Sequence, residues 1–164
     1  METFNKISVI VNVVLMFFSM WSSWRSCKYY NKSRYLTTHT NLSKALLEIE
    51  KMQKKIPDCL SALAQSRKAR GFNFPKSIGA IGQDLSNSLI AIHSCVPSEL
   101  TGKLMTLEKS TGFDLNKFIN ECISGRPMIL ESNFEKECSL CQERLNEMQN
   151  YLKEQVDKAG DKLK

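Results

Sequence analysis

Residues 7–24 read ISVIVNVVLMFFSMWSSW, eighteen positions without a charge, interrupted only by Asn12 and four serines. As a helix rising ~1.5 Å per residue this run covers ~27 Å, close to the hydrocarbon thickness of a thin bilayer. The run predicts an N-terminal transmembrane helix, and such an anchor would decide where the rest of the chain sits. A cleaved secretory leader is the competing expectation. It asks for a basic start and small residues at the −3 and −1 positions of a cleavage site. Here Glu2 offsets Lys6, and cleavage after Ser19, Ser22, Ser23 or Ser26 would put Phe17, Met20, Trp21 or Trp24 at −3.

The flanks predict an orientation. Arg25, Lys28, Lys32 and Arg34 follow the apolar run with no acid among them, against Lys6 alone before it. Excess Lys and Arg marks the cytoplasmic side of a span, so the expectation is a single-pass protein with its N-terminus outside and its C-terminal domain in the cytoplasm. Trp21 and Trp24 lie at the same end, followed by Tyr29, Tyr30 and Tyr35, a composition suited to headgroup depth. Together with the four cations they form a candidate membrane-surface set facing anionic lipid. The corresponding division is an anchor with its basic and aromatic segment over residues 1–35 and a helical bundle domain over 36–164.

Charge argues against a nucleic-acid partner once it is located. The chain carries 23 Lys and Arg against 17 Asp and Glu, a formal +6. Setting aside Lys6, Arg25, Lys28, Lys32, Arg34 and Glu2 leaves 18 against 16 from Tyr35 onward. A balance of +2 is too small for a basic phosphate-binding footprint.

The remainder reads as helices. Leu42, Ala45, Leu46, Ile49, Met52, Ile56, Cys59 and Leu63 recur at three and four, the spacing of one helix face. Thr40 or Asn41 is the expected N-cap, and Pro57 predicts a kink or a junction between two helices before Gly71 ends the segment. A second helix is expected over about 76–94, carrying Ile78, Ile81, Leu85, Leu89 and Ile92. Gly79 and Gly82 on its early turns lower intrinsic helix stability, and close helix packing is the expected reason for them. Two short helices follow, one capped by Ser98 and one opened by Phe113 and Asp114, closed by Gly112 and Gly125 respectively.

The last helix, expected over about 129–158, has no Gly or Pro within it. Phe134, Cys138, Cys141, Leu145, Met148, Leu152, Val156 and Ala159 recur nearly as a heptad, a seam that packs in a bundle or pairs with a second copy. Leu145, Met148 and Leu152 on its distal half are the candidate protein-interaction residues. No segment alternates long enough to make a strand. The expected fold class is all-α: one transmembrane helix, then a small bundle of about five helices with a long C-terminal one.

Chemistry has little to build on. Cys138-Ser-Leu-Cys141 lies inside the last helix with Glu135 and Glu137 beside it, where a redox pair would need a helix N-terminus. Cys95, Cys122, Cys138 and Cys141 fall on inward faces and are the candidate metal ligands, yet their spacing matches no zinc pattern. Six cysteines would read as a disulfide framework in a secreted chain and as free thiols in a reducing compartment. His39 and His93 have no partnered nucleophile motif, and no phosphate loop, EF-hand or HExxH is present. The expected function is a membrane-tethered interaction or regulatory module without catalytic activity or cofactor. It would bind an unidentified protein or associate with itself through the last helix. The alternatives are a cysteine-based metal sensor or enzyme, and a secreted disulfide-bonded helical protein.

Overall fold

The computed structural model describes the backbone of residues 2–69, 71, 73–110, 112–125 and 131–162; the side chains of 2–11, 110, 131 and 132 are outside the description. Among the described residues five helices make up the all-α fold: α1 (Glu2–Lys68), α2 (Phe74–Cys95), α3 (Ser98–Glu108), α4 (Leu115–Ile123) and α5 (Glu131–Asp161). Between α3 and α4 a two-residue antiparallel ladder pairs β1 (Lys109–Ser110) with β2 (Phe113–Asp114). Gly112 in its tight turn has φ +94°, a conformation that favours glycine. The ladder is too short for any period-two signal in the sequence.

α1 is one helix of 67 residues, where the sequence predicts a break near Thr40 and another at Pro57. Thr40 does not cap a new helix. Its hydroxyl donates to the Leu36 carbonyl at 2.9 Å, and Thr37 and Ser43 bond back to Ser33 and His39 in the same way. Those hydroxyls take helix-internal acceptors and leave the ladder unbroken. Pro57 sits on the exposed side of α1, where its missing N–H orphans only the Gln53 carbonyl.

α2 and α5 both run antiparallel to α1. Lys55 reaches Asp84 at 2.8 Å and Ser88 donates to Glu48 at 3.0 Å, fixing α2. Gln53 donates to Asn146 at 2.9 Å, and Arg67 meets Glu135 at 3.2 Å, fixing α5. The short helices close the ends. Asn73 caps α2 by accepting from the Lys76 N–H, and Asp114 caps α4 by accepting from the Lys117 N–H. Pro97, not Ser98, precedes the first turn of α3, which has no side-chain cap. α5 continues through Gly160 to Asp161, past the end expected near 158.

The core follows the predicted faces. Leu42, Ala45, Ile49, Met52, Ile56, Cys59 and Leu63 of α1 meet Ile78, Leu85, Leu89 and Ile92 of α2 and the seam of α5. At one end Phe134 stacks on Phe118 with centroids 6.0 Å apart and meets Phe74 edge-on at 6.1 Å.

Close packing explains Gly82. A Cβ there would lie 2.7 Å from the Ile123 amide nitrogen and 2.8 Å from the Cys122 Cβ. Gly82→Ala should therefore destabilise by about 1–3 kcal/mol, because α4 must move away, and this outweighs the ~1 kcal/mol that alanine gains as a helix former. Chemical denaturation checks the sign. A stabilised variant would mean that α4 does not seat on α2 at this glycine.

The membrane expectation is corrected. Among the described residues no helix is long and apolar enough to cross a membrane. Side chains 7–11 of the apolar run lie outside the described residues. The single-pass topology and the localisation derived from it are thus not supported, and the proposed boundary at residue 35 falls inside an unbroken helix.

Candidate functional site

The part of α1 that precedes the bundle is the most unusual surface of the molecule. Every described side chain from Asn12 through Arg34 is exposed, and burial begins in earnest at Leu42. Val13, Val14, Leu15, Met16, Phe17, Phe18, Met20, Trp21 and Trp24 therefore face outward all round the helix, where an ordinary surface helix shows apolar side chains on one stripe. Uncovered apolar area of this extent is uncommon on the surface of a monomer.

The four cations of the candidate membrane-surface set lie on this arm. The Arg25 guanidinium sits 5.5 Å from the Trp21 ring centroid and 5.8 Å from that of Tyr29, and Lys28 Nζ lies 6.0 Å from Trp24. At these distances a cation is held against the electron-rich face of a ring. Arg34 pairs with Glu99 at the start of α3, at 3.6 Å, and Lys32 is exposed. The same tryptophans thus present both apolar surface and held positive charge.

The distal seam of α5 is elsewhere. Leu145, Met148 and Leu152 are each 0% exposed, covered by the chain's own α1 along its whole length. Of the two covers expected for this seam, bundle packing or a second copy, the fold supplies the first: α1, unbroken past Pro57. A partner cannot reach these three residues in this fold.

The cysteines regroup. Cys59 of α1, Cys122 of α4 and Cys138 of α5 meet in the core, with Cys141 beside them, all four buried. Cys95 does not join them, since it ends α2 some thirteen residues, ~20 Å, beyond the Gly82 that touches Cys122. Hydrogen bonds from Cys122 and Cys138 pull the Cys59 thiol down. The same sharing with Cys59, and then burial, push Cys122 and Cys138 up; burial does so for Cys141. The four thiols form one buried network around Cys59. None of the six cysteines is in a disulfide. Among the described residues no three or more His, Cys, Asp or Glu side chains are disposed to hold a metal ion. The set Cys95, Cys122, Cys138 and Cys141 is not assembled as ligands.

One constellation was missed in the sequence. Glu108, at the end of α3, is 2% exposed, with its Oε1 2.8 Å from His93 Nε2 and its Oε2 accepting from the Asn116 amide at 3.1 Å. Oε1 makes no hydrogen bond of good geometry among the described residues, so its contact with His93 is one of close approach. The three side chains clasp α2, α3 and α4 together. The signal was present: Glu108 follows Leu104 by four, which places a carboxylate on the apolar face of α3.

Comparison with protein-family models, with curated proteins and with solved structures finds no match.

Proposed function

We propose that the chain is a non-catalytic helical interaction module that binds a protein partner through the arm of α1, with the bundle as the rigid base that holds it. The observation that carries this reading is the all-round exposure of the apolar side chains from Val13 to Trp24. Each large apolar side chain taken out of water contributes about 1.5–3 kcal/mol, so a partner covering even a few of them binds with useful affinity. The ring of cations after Trp24 adds orientation and a preference for acidic surface on the partner.

Photo-crosslinking in cells tests it. A photoreactive residue at Phe17 or Trp24 should give a discrete protein adduct, and one at Lys153, on the exposed face of α5, should give none. Equal adducts from both positions would remove the special role of the arm, and labelling of lipid alone from position 17 would replace the protein partner.

A further inference from the structure

Where the arm of α1 enters the bundle, the first turn of α3 and the end of α5 leave a cleft of about 330 Å³ beside it. That volume falls at the lower end of the ~300–1,000 Å³ typical of small-molecule sites. We propose that this cleft binds a small phosphate monoester with an apolar body.

Its lining divides by chemistry. The inner wall is apolar, made by Leu42, Leu100 and Ala159, of which Leu42 and Ala159 are buried in the bundle. Among the described residues the rim carries Arg34 from α1 and Lys158 and Lys162 from the end of α5, against Glu99 as its one acid. Three cations and one acid leave +2, which matches the charge of about −1.5 to −2 on a phosphate monoester near neutral pH. A carboxylate would neutralise half of it, and a metal cation would be repelled. Arg34 supplies a planar fork for two phosphate oxygens, and the two lysines act as point charges.

The present partners of these cations are exchangeable. Arg34 meets Glu99 at 3.6 Å, with both side chains mostly in solvent, and Lys158 meets Glu154 one turn back on the same exposed face of α5. Exposed pairs of this kind are weak and readily give way to a doubly charged ligand. Lys162 is held differently, with its Nζ 5.3 Å from the centroid of the Tyr35 ring, which also lines the cleft. Phosphate at the rim thus leaves the apolar body of the ester against Tyr35, Leu100 and Ala159. This inference rests on the cleft alone and stands or falls independently of the partner bound by the arm.

Phenyl phosphate is a suitable probe, titrated into the full-length chain and followed by ³¹P NMR. Saturable binding to one site is expected, with inorganic phosphate at least tenfold weaker because it leaves the apolar wall uncovered. The double variant Arg34→Gln/Lys162→Gln should bind at least tenfold more weakly. Both side chains are exposed, so the fold should survive, as circular dichroism would show. Lys54→Gln, on the exposed face of α1 away from the cleft, serves as the control and should bind as the parent does. The proposal is overturned by a non-saturating titration, by equal affinity for inorganic phosphate, by unchanged binding in the folded double variant, or by an equal loss in the Lys54 control.

Discussion

Leu145→Ala is expected to lower the stability of the chain by about 2–5 kcal/mol, the range for emptying a fully enclosed leucine site. Leu145 is 0% exposed and lies in the core that α1 shares with α5, one residue before the Asn146 that accepts from Gln53. That polar contact fixes the register of the two longest helices at this level, so the cavity cannot close by sliding one along the other. A domain of ordinary size has about 5–15 kcal/mol in all, so the loss is a large part of the total. Urea unfolding measures it, and a loss below ~1 kcal/mol would show that the seam is loosely packed. The same geometry predicts that replacing Met148 and Leu152 with lysine unfolds the protein. A folded but dissociated double-lysine variant would restore the seam as a contact between chains.

The second large effect is expected at the clasp. His93→Ala removes the group that faces Glu108 Oε1 and leaves a buried carboxylate with only the Asn116 amide on its other oxygen. Stranding a buried charge costs more than the pair contributes when intact. A loss of about 2–3 kcal/mol is expected, below the range for deeply buried pairs, because the His93 side chain is 27% exposed and water can reach the gap. Glu108→Gln in the same background should recover part of the loss, since a neutral amide is cheaper to bury unpaired. Absence of that recovery would show that His93 contributes packing and not charge.

Most of the bundle was legible in the sequence because each helix buries one stripe, and a stripe repeats every three or four residues. The faces from Leu42 to Leu63, from Ile78 to Ile92 and from Phe134 to Ala159 are buried as their spacing predicts, with Leu46, Ile81 and Val156 half-buried at their edges. Element junctions were less legible. Proline costs a helix about 3 kcal/mol in isolation, a penalty that a long packed interface on both sides can absorb, so Pro57 did not divide α1. Convergence in space was the least legible. Cys59 was read as one more apolar position, although it is the centre of the thiol network, because nothing local distinguishes it from its neighbours on the stripe. Cys95 was grouped with the other cysteines because inward faces can be assigned one helix at a time, while depth along the bundle cannot. The surface set on the arm was legible as a run of cations and aromatics, and the cation–ring contacts follow from their spacing of four.

An unbroken α1 makes the arm and the bundle a single rotational unit. From Arg34 to Asn12 the helix rises ~33 Å with ~100° of turn per residue, so the heading of every arm side chain is set by counting from Leu42. One residue inserted near Leu36 would swing the whole aromatic and basic face by about 100° while leaving the core untouched, and a seven-residue insertion would bring it nearly back into phase, ~10 Å farther out. What docks on this arm therefore meets a shaft keyed to the body of the protein, and its angle of approach to the cleft between α1, α3 and α5 is dictated by helical phase.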